Sequence, residues 1–276
     1  METPNIVNVN MAVRSISELR QNGTQAYLDT IFPGLEVQPE PGFDLCIRFD
    51  CDGLPARYST PQSFLDSISN LKRHVIGAPM LEAFTSLENR SSSPKVVAID
   101  YRLTTREVEY ADESGKVTKT YGHRLPEYLF LSSDAQKVTV VFYVDFSDTT
   151  DRAMARVFLQ EFVEAQRTVR TAPPVSFSRE PPGEIAGLKF DWRPDAAGFI
   201  SFSIEDRHIK GDKKDAVATM LVGFRSYLHY HIKCSKTYLH IRMRKRVAGW
   251  LQVLNRSIPA KETEKKTSAG KTFVRK

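Results

Sequence analysis

A continuous helical pattern in the last quarter of the sequence constrains the fold of this chain more than any other feature. Between Asp215 and Leu254, forty residues without proline carry apolar side chains at helical spacing. At ~1.5 Å per residue this helix would be about 60 Å long, about twice the diameter of a small domain. We therefore predict that its far half protrudes or is held by another chain. The alternative is a helix bent over the chain's own domains.

The same segment is strongly cationic. Nine Lys or Arg residues and no acid lie between Asp215 and Glu262. Arg242 and Arg246 are four residues apart and share a face, with Lys245 three residues from Arg242. Like charges at this spacing repel each other by a few tenths of a kcal/mol, roughly. A cluster of like charges that destabilises its own helix indicates that an anionic surface binds it. A run of charges can also be only a solvated face of the helix.

The charge of the whole chain is distributed unevenly. The formal net charge is +6, but residues 216–276 contain fourteen basic and two acidic residues, and residues 1–215 have a net charge of −6. A cationic end on an acidic body indicates an acidic partner, which could be a nucleic acid, an anionic lipid or an acidic protein surface.

Composition places the chain among globular proteins with ordinary cores. Its 276 residues suffice for one large domain or two modest ones. Three cysteines form no paired framework, which fits a reducing cytosol. The sequence begins without a basic start followed by an apolar run and has no apolar stretch of about 18 residues, so we expect neither a signal peptide nor a membrane span.

A recurring pattern predicts the fold class. An extended run, a turn, a second extended run and a helix follow each other three times along the chain. We predict an α+β protein with two α/β domains of antiparallel strands and flanking helices, plus a long C-terminal helix. Residues 1–91 form an apparently shortened N-terminal domain. Residues 92–276 form the second domain, with the long helix at 215–254 and a basic tail at 257–276.

The individual elements follow from alternation, helical spacing and turn residues. Strands are predicted at 43–49, 128–131, 137–146, 175–178 and 198–204. Helices are predicted at 61–76, broken or kinked by Gly77 and Pro79 before a shorter piece that reaches Leu87, and at 150–167. A hairpin of 95–102 with 107–110 opens the second domain. The strand at 137–146 is apolar on both sides, which predicts that both sides are covered.

No catalytic or metal-binding pattern emerges. A phosphate loop ending at Gly270 would need glycine at position 265, which is Lys265. Among the clustered His229, His231, Cys234 and His240, only His231 and Cys234 share a helical face. An isolated His208 after a strand fits a turn better than a general base. We expect no enzyme activity, no cofactor and no metal.

Several segments resemble one known family, subunit 2 of the actin-related protein 2/3 complex. Together they cover roughly residues 75–276 and occur in the right order, which makes the resemblance specific. The matching segments are 134–142, 157–162, 171–174, 179–182, 224–236, 240–244, 253–256 and 270–273.

The resemblance implies an architecture and a role. It implies two α/β domains and a long helix that packs against the corresponding helix of subunit 4. The two subunits form a core that holds both actin-related proteins and grips the side of a mother filament, from which a branch grows. The implied protein is a non-enzymatic structural subunit of the cytoplasm and the actin cytoskeleton.

Two sets of site residues follow. The resemblance implies that Phe224 and Tyr227 lie at the subunit contact, and that Lys271 and the basic cluster 244–246 face the filament. The remaining residues of the two sets are predicted from the apolar stripe and from the basic run of the long helix. The predicted subunit-interface residues are Phe224, Tyr227, Leu228, His231, Tyr238 and Trp250. The predicted actin-binding residues are Arg242, Arg244, Lys245, Arg246, Arg256 and Lys271.

The sequence also departs from the family. Gln252 stands where relatives often carry lysine, so one basic contact is lost. Residues 1–30 resemble only the last helix of a region that usually contains a helix and several strands. Either the lineage has shortened this domain or the sequence is incomplete. The alternative function is a nucleic-acid-binding protein that uses the basic helix, but this needs stacking aromatics among the charges, and Tyr238 and Trp250 are predicted on the apolar stripe.

Overall fold

The structure, a computed structural model, has two units whose boundary falls inside the long helix. These units are Met1–His229 and Tyr230–Lys276. The residues it describes are 5–13, 15–50, 53, 55, 57–90, 95–100, 108–111, 117–120, 128–166, 168–169, 171–256, 265–266 and 272–273.

The N-terminal part of the first unit is a three-stranded antiparallel sheet with four helices. Its strands are β1 Ile6–Met11, β2 Glu36–Val37 and β3 Leu45–Asp50, in the order β1-β3-β2. Its helices are α1 Ile16–Leu19, α2 Gln25–Ile31, α3 Pro61–Ser69 and α4 Leu71–Glu88. Strand β1 is absent from the sequence prediction, which placed an extended run before the turn at 39–42 and gave bounds only for the strand after it, β3.

A five-stranded antiparallel sheet forms the rest of the first unit. Its order is β4-β7-β8-β10-β9, and β5 and β6 pair separately as a hairpin. The strands are β4 Lys95–Asp100, β5 Val108–Ala111, β6 Val117–Thr120, β7 Tyr128–Ser133, β8 Lys137–Val144, β9 Val175–Ser178 and β10 Gly198–Glu205. The predicted hairpin of 95–102 with 107–110 is wrong, because β4 pairs with β7 at the sheet edge and β5 pairs with β6.

The remaining elements complete the α+β fold class, which is confirmed. Helices α5 Thr149–Gln166, α6 Asp206–Ile209 and α7 Lys213–Arg256 follow in chain order. The second unit also contains a short hairpin of β11 Lys265–Lys266 with β12 Thr272–Phe273. The predicted long helix at 215–254 matches α7 to within two residues at each end. In the described part of the chain, no helix has both the length and the apolar character that a membrane crossing needs.

Strand β8 is covered on both faces, as its sequence predicts. Phe142 on one face packs against Phe224 of α7, with 4.9 Å between the ring centroids. On the other face, Val141 and Tyr143 pack with residues of the loop between β9 and β10, including Ile185. This loop, rather than a helix, therefore covers the second face of β8. Its presence explains why apolar residues are favourable on both faces of the strand.

Helix α4 is buried along most of its length and passes through Pro79 without a break. Of the predicted break or kink at Gly77 and Pro79, the break is wrong, and the chain instead breaks at Asn70, between α3 and α4. Proline lacks the N–H that would bond the carbonyl four residues earlier, on Val75. The Thr24 hydroxyl donates to that carbonyl at 3.0 Å in the buried interior. The helix continues because a neighbouring segment supplies the missing donor.

Buried His74 of α4 predicts a loss of stability in acid. Its Nε2 lies 3.4 Å from the Ser67 hydroxyl and its Nδ1 lies 3.3 Å from an Arg73 nitrogen. Burial and the positive charge of Arg73 lower the pKa of His74 to about 4, although Asp215 acts in the opposite direction and Arg57 adds to the lowering. The unfolded chain, with a histidine pKa near 6.5, takes up this proton more readily.

We therefore expect this contribution to be intact above pH 6.5 and to fall as the pH drops towards 4, by up to about 3 kcal/mol. Urea unfolding at pH 7 and pH 5 measures the change. The variant His74→Gln cannot take up the proton, so its unfolding free energy should change less between the two pH values. Equal changes in the variant and the parent would contradict the prediction.

Candidate interaction site

The first half of α7 is anchored in the core of the first unit. Four of its buried residues recur every three or four positions: Ala218, Leu221, Phe224 and Leu228. The Phe224 ring lies 4.9 Å from Phe142, 5.0 Å from Phe202 and 5.7 Å from Phe162. Phe224 is 7% exposed and Leu228 is 1% exposed, so these two predicted interface residues already pack inside the chain itself. Their contact with a partner stays a prediction.

Ion pairs fix the first turn of α7 to α4. Lys214 Nζ lies 2.6 Å from Glu88 Oε2, and Arg73 pairs with Asp215. Arg73 also donates to the Tyr27 hydroxyl at 2.9 Å. The Arg73 side chain is largely buried, which strengthens its hydrogen bonds relative to those of a surface arginine. Together with the aromatic contacts, these bonds hold the first half of α7 in a defined position within the first unit.

A small cavity lies beside the first half of α7. Its lining includes Tyr143, Asp145, Arg225 and His229, and its volume of about 20 Å³ is enough for a water molecule and too small for a metabolite. The Asp145 carboxylate has no exposed surface and accepts two hydrogen bonds from Arg193, at 2.6 and 2.9 Å. Burial raises the pKa of Tyr143 to about 12. This polar network is a structural support and offers no space for a substrate.

An adjoining side of α7 carries exposed apolar residues. In the first unit these are Met220 and Tyr227, which is 48% exposed although its ring touches the edges of Phe158 and Phe162. In the second unit the set continues through further exposed side chains, and its successive spacings of seven, three, eight and three residues are sums of three- and four-residue helical steps. We call this set the tyrosine stripe: Met220, Tyr227, Tyr230, Tyr238 and Ile241.

A second set of exposed apolar residues occupies another side of α7, within the second unit. At 100° per residue its six members fall within an arc of about 120°, and their exposure ranges from 42% to 69%. We call this set the apolar face: Leu239, Met243, Val247, Trp250, Leu251 and Leu254. An exposed apolar patch of this extent marks a binding surface more often than it marks ordinary protein surface.

The predicted basic residues that belong to α7 surround this part of the helix, and these five are all exposed: Arg242, Arg244, Lys245, Arg246 and Arg256. By helical spacing, Arg242 and Arg246 border one edge of the apolar face and Arg244 borders the other. Lys245 and Arg256 lie on the opposite side of the helix. The Arg242 guanidinium carbon lies 5.6 Å from the centre of the Tyr238 ring, so Tyr238 stands among the cations rather than on the apolar face.

The structure places the remaining predicted residues as follows. His231 is half-buried, with its ring 5.2 Å from that of Tyr230, and Trp250 is 69% exposed. Lys271 lies outside the described residues. His208 accepts a hydrogen bond from the Glu205 backbone N–H, which caps helix α6 and gives this histidine a structural part. Among the described residues, no group of His, Cys, Asp or Glu side chains could hold a metal ion.

Sequence reasoning did not name Met220 and treated the exposed apolar residues of α7 as one stripe. Apolar side chains occur all round the far half of α7, so spacing alone cannot separate them. The missing signal was the position of Met220 and Tyr227 relative to the buried Leu221, Phe224 and Leu228, since the two sets alternate along the helix.

Comparison with known proteins connects this helix to a family. A family model described as "Arp2/3 complex, 34 kD subunit p34-Arc" matches residues 9–261. The chain belongs to this family. A relative from Schizosaccharomyces pombe, named "Actin-related protein 2/3 complex subunit 2", is 36% identical over 97% of this chain and 84% of its own length. A relative from Dictyostelium discoideum with the same name is 34% identical over 96% of this chain and 82% of its own length.

Membership in the p34-Arc family makes this chain a subunit of the Arp2/3 complex. It also accounts for the character of α7, because a subunit of an assembly presents apolar surface that the isolated chain leaves exposed. The earlier resemblance to subunit 2 is thereby confirmed.

Proposed function

We propose that this chain is a non-enzymatic subunit that scaffolds actin nucleation and binds the side of a mother filament through α7. One observation supports this best: a single acid-free helix carries both exposed apolar residues and a cluster of exposed cations. Actin's surface is acidic, so the cations complement it. The relatives' name, Actin-related protein 2/3 complex subunit 2, supports the assembly part of the proposal. The proposed location is the cytoplasm and the actin cytoskeleton.

The tyrosine stripe is the proposed seam for another subunit, which the resemblance identifies as subunit 4. Its residues recur at the spacing that a second helix fills, and aromatic side chains are common in the centres of protein interfaces. Trp250 on the apolar face is a further proposed contact. The division into domains 1–91 and 92–276 also remains a proposal.

The filament contact is proposed for Arg242, Arg244, Lys245, Arg246 and Arg256, together with Lys271 of the tail. Lys245 and Arg256 lie on the side of the tyrosine stripe but beyond its last member, Ile241, so the proposed filament contact follows the proposed seam along the helix. Co-sedimentation of the assembled complex with actin filaments tests this contact. A complex that does not pellet with filaments at low ionic strength would refute it.

One charge placed in the tyrosine stripe is expected to prevent assembly. We expect the chain to aggregate when expressed alone and to stay monodisperse when co-expressed with subunit 4. The variant Tyr238→Glu should lose this rescue, because its charge would be buried without a partner in the seam. The matched control is Gln136→Glu, which adds the same charge at an exposed turn residue of the first unit and should assemble normally. Co-purification followed by native mass measurement distinguishes the outcomes, and equal assembly of both variants would contradict the seam.

A further inference from the structure

An exposed threonine with a distinctive sequence environment precedes helix α3, in the N-terminal part of the first unit. Thr60 is exposed and its backbone is extended, with φ −142° and ψ 150°. The next residue, Pro61, favours this conformation, because a proline ring disfavours helical torsion angles in the residue before it. Arg57, three residues before Thr60, is also exposed. The segment therefore presents a hydroxyl with an arginine at position −3 and a proline at position +1.

Tyr58 anchors this segment to the body of the first unit. Its hydroxyl oxygen lies 2.9 Å from the carbonyl oxygen of Ile31 and 3.0 Å from the hydroxyl oxygen of Ser67. Its ring packs against that of the buried Phe64, with 4.8 Å between the centroids. Because Tyr58 takes the inward position, the chain is held in place while Thr60 stays on the surface.

The arrangement has the recognition features of a protein-kinase substrate. A kinase pocket that offers no acceptor to the backbone N–H after the phosphorylated residue selects proline, which has no N–H. An acidic group of a kinase can pair with the arginine at −3. Arg57 donates to the carbonyl of Thr30, and it exchanges this single surface bond at little cost. Four of the five residues 57–61 precede α3, and the fifth is its first residue.

We propose that Thr60 is phosphorylated by a proline-directed Ser/Thr kinase that also selects arginine at position −3. The Thr60 oxygen attacks the γ-phosphorus of ATP and forms the new O–P bond. The bond between that phosphorus and the β–γ bridging oxygen breaks, ADP leaves, and the hydroxyl proton passes to the catalytic aspartate of the kinase. The proposal concerns a segment outside α7 and does not depend on the filament or seam proposals.

The added phosphate is expected to strengthen the first turn of α3 rather than to disrupt it. The Thr60 hydroxyl already accepts a hydrogen bond from the Ser63 backbone N–H at 3.2 Å, as the N-cap of α3. A phosphate offers more acceptor oxygens and a negative charge, which the N-terminal end of a helix favours. It can therefore accept the Gln62 N–H in addition to that of Ser63.

Phosphorylation of the assembled complex by a recombinant kinase of this specificity, with magnesium and ATP, tests the proposal. Trypsin cleaves after Arg57 and Lys72, so fragmentation of the peptide 58–72 locates the phosphate, which we expect on Thr60. The order Arg-x-Ser-Ser/Thr-Pro occurs a second time in the sequence, at 90–94. Its acceptor falls in a different tryptic peptide, so the two positions are read separately.

Four variants identify what the kinase reads. Thr60→Asn keeps a good N-cap residue but has no hydroxyl, so it should give no labelled peptide. Pro61→Ala keeps the hydroxyl and restores the N–H, and Arg57→Ala removes the cation; each should slow phosphorylation of Thr60 about tenfold or more. The matched control Pro55→Ala changes a proline outside the pattern and should be phosphorylated at the parent rate.

Hydrogen exchange measures the effect of the phosphate on α3. The peptide that contains its first turn should exchange about three- to tenfold more slowly after phosphorylation. Thr60→Asn should exchange like the unphosphorylated parent. Three results would overturn the proposal: no phosphate on Thr60 in the assembled complex, equal rates for the parent and Pro61→Ala, or faster exchange of α3 after phosphorylation. None of these measurements involves α7, so the assembly and filament tests stand separately.

Discussion

Replacing Phe224 by alanine is expected to lower the free energy of unfolding by about 3–5 kcal/mol. Phe224 is 7% exposed, and its ring contacts Phe142, Phe202 and Phe162 at the centre of the first unit. Truncation removes this buried area and leaves a cavity that rigid strands on one side cannot fill. The same change would weaken the packing of the first half of α7 against the first unit.

Tyr227, three residues further along the helix, is the matched comparison. It is 48% exposed and touches Phe158 and Phe162 only at a centroid distance of 6.4 Å. We expect Tyr227→Ala to change the free energy of unfolding by no more than about 1 kcal/mol. Its larger effect should be a weaker contact with subunit 4, because Tyr227 lies in the tyrosine stripe.

Chemical denaturation of each variant, fused to a soluble carrier so that it does not aggregate alone, combined with a binding measurement against subunit 4, checks this pair. Phe224→Ala should show a lower midpoint with an unchanged denaturant slope. Tyr227→Ala should show the parent midpoint and a loss of affinity of about tenfold or more. The interpretation fails if Tyr227→Ala destabilises the chain as much as Phe224→Ala, or if neither affects partner binding.

The parts of the fold that the sequence predicts well are those with strong periodicity. The bounds of α7 follow from an uninterrupted helical pattern, and β8 and β10 follow from alternating apolar residues between turns. Where a distant segment supplies a missing group, sequence reasoning fails. Pro79 is an example, because the donor that lets α4 continue comes from Thr24, far away along the chain.

Strand β1 was missed for a different reason. Val7 and Val9 alternate with Asn8 and Asn10, but the run is short and its first residues remain exposed at the sheet edge. An edge strand of this kind has little apolar signal, and its identity depends on pairing with β3. The exposure of each side of α7 likewise could not be predicted from the sequence, because it depends on which side of the helix packs against the sheet.

Reversing four cations of α7 is expected to abolish filament binding by the assembled complex. The changes are Arg242→Glu, Arg244→Glu, Lys245→Glu and Arg246→Glu, each of which exchanges a positive for a negative charge. Attraction to an acidic filament would become repulsion at every one of these positions, so affinity at low ionic strength should fall by much more than tenfold, roughly a hundredfold or greater. Co-sedimentation with actin filaments measures this.

A control with the same change in net charge separates the location of the cations from their number. Lys95, Lys189, Arg207 and Lys210 are exposed on the first unit outside α7, and reversing these four should leave most filament binding intact. The native mass of each complex shows whether assembly is preserved. Parent binding should also weaken with added salt, while residual binding by the α7 variant should depend on salt much less. Two outcomes would contradict the proposal: filament binding that survives reversal on α7, or an equal loss of binding in both quadruple variants. In either case α7 is not the filament contact, and its cations bind another anionic surface.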